Sequence, residues 1–204
     1  MKLHHSPTSP FVRKCLVCAH EAGLVSRLTL VPAAAHPINR DARLTALNPL
    51  GKIPVLETDD GAVLYDSGVI CEYFDALSGG RLLPATGAAR WAVLTDQALG
   101  DGMLDAAVLN RYETAVRPEA LRWDAWSTGQ LAKVESALTA LEGRAGQLAG
   151  RIDVGTIAIA CALGYLDFRY EALGWRQGRP RLAAWFAGLE SRSSMLATRP
   201  PGGV

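Results

Sequence analysis

Asn48-Pro49-Leu50-Gly51-Lys52-Ile53-Pro54-Val55-Leu56, followed by Tyr65-Asp66-Ser67-Gly68, is the stretch that decides the fold of this 204-residue chain. The Asn-Pro and Gly-Lys pairs are typical of a turn, and the residues after Pro54 predict a strand that ends in a hairpin. Proline has no N–H to donate to a strand ladder. A cis Ile53-Pro54 bond would leave the backbone of Ile53 free to pair with an extended ligand, but these residues alone favour the commoner trans bond.

Outward from this stretch, the first part of the chain alternates between short strands and helices. The pattern predicts strands over residues 1–4, 27–31, 53–57 and 62–64, and helices over residues 10–22, 39–47 and 67–77. Residues 79–86 are rich in glycine and proline and predict a linker. Everything after it has helical periodicity. We therefore expect an α/β domain over residues 1–78 and an all-α domain over residues 87–204.

Composition excludes several function classes. The chain is 49% hydrophobic and 20% charged with a formal net charge of +1, so it lacks the basic surface expected of a nucleic-acid-binding protein. No stretch reaches the roughly 20 apolar residues of a membrane span, and the N-terminus lacks the apolar run of a signal peptide. Its four cysteines have no framework spacing, as expected of reduced thiols. We therefore expect a cytoplasmic protein that binds neither nucleic acid nor membrane.

Ser9 and Pro10 are predicted to begin the first helix. Serine is a favoured N-cap, and proline is tolerated at the first helical position because its missing N–H has no partner there. A helix N-terminus also favours a thiolate, carboxylate or phosphate. Taken alone, Ser9 is better explained as a structural cap than as a functional residue.

The first helix contains Cys15-Leu-Val-Cys18, which has the spacing of a redox motif. Cys15 lies about a turn and a half inside the helix, on an apolar stripe, so core packing is favoured over redox chemistry. Arg13, Lys14 and Glu21 fall off that stripe. No cluster has metal-ligand spacing, so no metal site is predicted.

Asp66 and Ser67 are predicted to cap the third helix, just after the strand that Pro54 begins. In isolation they are best explained as a cap. Next to a free backbone edge at Ile53, however, a carboxylate and a hydroxyl can bind the amine and carboxylate at one end of a short peptide.

The order of these segments resembles the cytosolic glutathione S-transferase family, specifically bacterial members with a serine or cysteine at the N-terminal site. The resemblance spans the whole chain and rests on residues 9–14, 48–56, 65–74, 150–168 and 179–185. It implies a thioredoxin-like N-terminal domain with cis-Pro54, an all-α C-terminal domain, and a homodimer. It also implies glutathione as co-substrate, with no bound cofactor, and a small hydrophobic electrophile as the other substrate in a detoxification reaction.

The resemblance also implies roles for individual residues. Ser9 takes the place of the catalytic serine or cysteine, although Ser6 and Thr8 are alternatives. Ile53 would pair its backbone with the cysteinyl part of glutathione, and Asp66 and Ser67 would hold the γ-glutamyl end. The expected glutathione site is Phe11, Lys52, Ile53, Pro54, Asp66 and Ser67, and the expected electrophile wall on the helix over residues 101–112 is Met103, Leu104, Val108, Arg111 and Tyr112.

Two departures from the family pattern bear on function. In the second domain the usual order of hydroxyl and acid is reversed, since Asp153 precedes Thr156, but capping should be preserved. A serine at position 9 argues against disulfide reduction, which needs a protein thiol to form a mixed disulfide. The leading hypothesis is therefore a glutathione transferase. The alternatives are a non-catalytic binding or interaction protein of the same fold, and a glutathione-dependent isomerase or reductase.

Overall fold

The computed structural model describes residues 1–202. Its first part has the strands β1 (Lys2–His5), β2 (Thr29–Pro32), β3 (Val55–Glu57) and β4 (Val63–Leu64), and the helices α1 (Pro10–Glu21), α2 (Ala42–Leu47) and α3 (Ser67–Leu77). The remainder has the helices α4 (Gly87–Ala115), α5 (Asp124–Leu148), α6 (Val154–Arg169), α7 (Pro180–Glu190) and α8 (Ser193–Ala197). A thioredoxin-like domain followed by helices confirms the predicted fold class.

The four strands form one mixed sheet in the order β2-β1-β3-β4. β1 runs parallel to β2, as a strand, helix, strand unit requires, and antiparallel to β3, which pairs antiparallel with β4. The ladder between β1 and β3 ends where His4 faces Val55. Ile53 and Pro54 therefore lie beyond the end of the ladder.

The bond between Ile53 and Pro54 is cis, as the family resemblance implies. The trans bond favoured by the local residues alone is wrong. Buried Asn48 supports this turn, because its side-chain amide donates to the carbonyl of Lys52 at 3.0 Å and its oxygen accepts from Leu50 N at 3.0 Å.

The core of the second domain is built around α6, which is buried from Val154 to Leu166. Asp153 caps it: its carboxylate accepts from Thr156 N at 2.8 Å, and the Thr156 hydroxyl accepts from Asp153 N at 3.0 Å. This capping box confirms that exchanging the two polar types preserves capping. Among residues 1–202, no helix is both long enough and apolar enough to cross a bilayer.

Arg13 and Lys14 lie off the apolar stripe of α1, yet both are buried. Lys14 Nζ pairs with Asp101 of α4 at 2.6 Å, and Arg13 Nη2 donates to the carbonyl of Met195 in α8 at 3.2 Å. The cause is that α1 lies between two layers. Its apolar stripe faces the first domain, and the helices of the second domain cover its polar side.

Candidate functional site

A cleft of about 610 Å³ separates the first domain from the helices α4 and α6. The first domain contributes the loop before α1, the start of α1, the segment after β2, and the turn before β3. The second domain contributes the C-terminal halves of α4 and α6. The lining residues are Ser6, Thr8, Ser9, Pro10, Phe11, Ala34, Ala35, Lys52, Ile53, Asp105, Val108, Leu109, Arg111, Tyr112, Tyr165 and Arg169.

Ser9 is the N-cap of α1 and lines this cleft. Its Oγ accepts a hydrogen bond from Val12 N at 3.3 Å, and Pro10 occupies the first position of the helix. Capping uses a lone pair of the hydroxyl, so the O–H of Ser9 remains available as a donor. Ser6 and Thr8 also line the cleft, but their hydroxyls lie 3.3 Å apart, within hydrogen-bond distance of each other.

Ile53 presents an open backbone edge to the cleft. Within residues 1–202, neither its N–H nor its C=O makes a hydrogen bond. An unpaired backbone edge beside a sheet suits an extended ligand that adds to the sheet as a short strand. Lys52 lies beside it and lines the same cleft.

Asp66 and Ser67 form the N-terminus of α3 and do not line this cavity, and neither does Pro54. The carboxylate of Asp66 accepts from Gly68 N at 2.9 Å, so it acts as the predicted cap. Ser67 is buried, and its carbonyl accepts a hydrogen bond from the Cys15 thiol at 3.7 Å. α1 therefore holds the N-terminus of α3 in place.

On the second-domain wall, Val108, Arg111 and Tyr112 line the cleft as expected from the sequence. Met103 and Leu104 do not: both are buried in the helical core. The expectation that Met103 and Leu104 line the electrophile site is wrong. α4 packs closely along α6 at these residues, and only the later turns of α4 line the cleft.

Sequence reasoning missed four lining residues on these helices: Asp105, Leu109, Tyr165 and Arg169. Asp105 and Leu109 share a helix face with Val108 and Tyr112, at i+3 and i+4 spacing. This spacing could have identified them from the sequence. Tyr165 and Arg169 interrupt an otherwise apolar helix four residues apart. Burial raises the pKa of Tyr112 and raises that of Tyr165 to about 12, so both phenols stay neutral at neutral pH.

The four cysteines are buried, and burial raises the pKa of the Cys15 thiol well above its ordinary value. Core packing of Cys15 and Cys18 is therefore confirmed. Among residues 1–202, no group of three or more acidic, histidine or cysteine side chains is arranged to hold a metal ion.

Known proteins resemble the chain along its whole length. A family model described as the glutathione S-transferase N-terminal domain matches residues 8–77, and one for the C-terminal domain of that family matches residues 124–188. The uncharacterized GST-like protein YibF of Escherichia coli K12 is 38% identical over 98% of this chain and 99% of its own length.

Solved structures of glutathione transferase family members are also similar to the chain over nearly its whole length. A glutathione transferase family member from Pseudomonas fluorescens Pf-5 with bound glutathione is 50% identical over 98% of both chains, with a TM-score of 0.95. A second structure of a family member from that organism holds S-(propanoic acid)-glutathione. It is 48% identical over 98% of this chain and 100% of its own, with a TM-score of 0.90.

Proposed function

The chain belongs to the glutathione S-transferase family, and from this membership we propose that it is a glutathione transferase. It binds glutathione in the cleft, ionises the thiol beside Ser9 and directs the thiolate at a small hydrophobic electrophile. The observation that carries the proposal is the placement of Ser9, a capping hydroxyl at the N-terminus of α1, in the same cleft as the open backbone edge of Ile53.

Glutathione binding follows from the polar groups of the first domain. Its cysteinyl backbone pairs with the N–H and C=O of Ile53, which lie beyond the last rung of the sheet. Lys52 pairs with a glutathione carboxylate, and Phe11 packs beside the tripeptide. Asp66 and Ser67, at the N-terminus of α3, take the amine and carboxylate of the γ-glutamyl group. Bound glutathione in the Pseudomonas relative, at 50% identity, supports glutathione as the ligand.

Thiol activation is the chemical task of Ser9. A free thiol has a pKa of about 8.5, so a decrease of about two units requires roughly 2.7 kcal/mol of preferential stabilisation of the thiolate. A hydrogen bond to a charged group contributes about 1.5–3 kcal/mol, and a helix N-terminus about 0.3–1 kcal/mol. The Ser9 hydroxyl and the first turn of α1 together can therefore supply the free energy needed to stabilise the thiolate.

The second domain supplies the surface for the electrophile. Val108, Leu109 and Tyr112 of α4 and Tyr165 of α6 form its apolar part. The thiol proton passes to solvent, and the sulfur electron pair forms a bond to the electrophilic carbon. We expect the active protein to be a homodimer, a prediction that sedimentation analysis tests directly.

The test is a calorimetric titration with glutathione at neutral pH, combined with ultraviolet absorbance of the bound thiolate as the pH is varied. We expect the wild type to bind glutathione with a lowered thiol pKa. In Ser9→Ala, binding should persist while the thiol pKa rises by about one to two units, the equivalent of one charge-assisted hydrogen bond.

Two further variants separate the roles. Ser9→Thr keeps both a cap and a donor, so it should retain most of the decrease in thiol pKa. Ser67→Ala should weaken glutathione binding instead. Absence of glutathione binding by the wild type, or a thiol pKa that is the same in wild type and Ser9→Ala, would refute the proposal.

A further inference from the structure

The arginines of this protein divide into two unequal groups. There are seventeen in the sequence, all within residues 1–202. Fifteen of them make an ion pair or donate a hydrogen bond. These are Arg13, Arg27, Arg40, Arg43, Arg81, Arg90, Arg117, Arg122, Arg144, Arg151, Arg176, Arg179, Arg181, Arg192 and Arg199.

The two that do neither within residues 1–202 are Arg111 and Arg169, and both line the cleft. They come from different helices, α4 and α6, and both are exposed. The ring of Phe168 lies 3.9 Å from the guanidinium carbon of Arg169, which leaves the donor edge of that group unoccupied. Asp105, the acid that lines the cleft, pairs with neither.

The charge of the cleft is therefore unbalanced. Lys52, Arg111 and Arg169 face a single carboxylate, that of Asp105. Lys52 belongs to the first domain and is assigned to glutathione, whereas the two arginines belong to the wall assigned to the electrophile. The apolar and aromatic side chains Val108, Tyr112 and Tyr165 line the same cleft as the two arginines and Ser9.

We propose that the electrophile of this enzyme carries a carboxylate, which Arg111 and Arg169 bind while its apolar body contacts α4 and α6. This rests on the proposed transferase function and narrows its substrate class. A guanidinium presents parallel N–H donors that match the two oxygens of a carboxylate. Neutral apolar electrophiles would leave both arginines without a partner.

The reaction that uses these groups best is the addition of the thiolate to an α,β-unsaturated carboxylic acid. The thiolate sulfur donates its electron pair to the β-carbon and forms a C–S bond, while the π electrons of the alkene move toward the α-carbon and the carboxylate. The α-carbon then takes a proton from water, and the product is a thioether carboxylate. Attack adds negative charge to an anion, so a nearby guanidinium stabilises the transition state more than the ground state.

The test compares two glutathione conjugates of equal shape and different charge, S-carboxyethyl glutathione and its amide, S-carbamoylethyl glutathione. Calorimetric titration measures the affinity of each for the wild type, with glutathione itself as reference. We expect the wild type to prefer the acid by about tenfold, the size expected of one good charge-assisted contact at a partly exposed site. The preference for the acid should decrease with added salt, because salt weakens the attraction between exposed charges. The screening length is about 8 Å at physiological ionic strength and becomes shorter as salt is added.

The variants assign the preference to residues. Arg111→Gln and Arg169→Gln should each reduce it, and the double variant should bind acid and amide alike while still binding glutathione. Arg181→Gln removes an exposed arginine outside the cleft and should leave the preference unchanged. Thermal unfolding of each variant checks that it folds.

Two outcomes separate this inference from the function on which it rests. If glutathione binds but the wild type does not distinguish the acid from the amide, or the double variant keeps the preference, the carboxylate site is refuted and the transferase proposal stands. If the wild type does not bind glutathione, both are refuted.

Discussion

α4 packs closely against α6 at Gly100, and adding one methyl group there tests the packing that positions the second-domain side of the cleft. A Cβ at position 100 would lie 2.6 Å from the carbonyl carbon of Ala158 and 2.7 Å from the backbone nitrogen of Ile159. Non-bonded carbons are normally about 3.5–4.0 Å apart. Because both obstructing atoms are backbone, the helices must move apart by about 1 Å.

Gly102, two residues along the same helix, is the matched control. A Cβ there meets nothing within 4 Å. Replacing a helical glycine by alanine stabilises by about 1 kcal/mol, a gain that both variants share. Overpacking a core costs about 1–3 kcal/mol or more. We therefore expect Gly102→Ala to be more stable than the wild type, and Gly100→Ala to be less stable than Gly102→Ala by at least about 1 kcal/mol.

Urea unfolding followed by circular dichroism measures both variants under the same conditions. In thermal unfolding, 1 kcal/mol corresponds to about 2–4 °C in Tm for a chain of this size, so the two alanine variants should differ by at least about 2–4 °C. Because Arg111 and Arg169 lie on the two helices that Gly100 brings together, Gly100→Ala should also weaken the acid preference of the cleft. Equal stability of the two variants would show that this helix contact is not as close as the structure places it.

Three further predictions concern stability and the buried thiols. Asp153→Ala removes the carboxylate from the capping box of α6, leaves Thr156 N without its partner, and should lower the free energy of unfolding by about 2 kcal/mol in chemical denaturation. Glu21 of α1 accepts from Arg192 at 2.7 Å, and chiefly that contact holds the pKa of Glu21 below its usual 4.5. Because the pKa of Glu21 is lower in the folded protein, its contribution to stability is complete above about pH 4.5. That contribution is lost as the pH falls through the folded-state pKa. Glu21→Gln should therefore remove this part of the decrease of Tm in acid. The cysteines are buried, so a thiol reagent should modify Cys15 only as fast as the protein unfolds; rapid modification of the native protein would instead support thiol chemistry at Cys15.

Much of the fold was predictable because its determinants are local. The helix over residues 67–77 was predicted with the bounds that the structure gives it, since Asp66 and Ser67 mark its start and an apolar stripe marks its length. The capping box at Asp153 was likewise visible as two polar residues three apart. The candidate glutathione residues of the first domain depend on a turn and two helix starts, which are short-range features of the chain.

The amino-acid sequence by itself thus determined the element order, the helix caps and the turn before β3. Only the tertiary structure decided which helix surfaces are covered. Helical periodicity shows which residues share a face, but the polar face of α1 is buried because a second domain packs on it, so Lys14 meets Asp101 across 87 residues of sequence. For the same reason Leu104 lies in the core, whereas Arg111 and Arg169, far apart in sequence, meet at one cleft. Such placements depend on how whole helices pack, which no local pattern encodes.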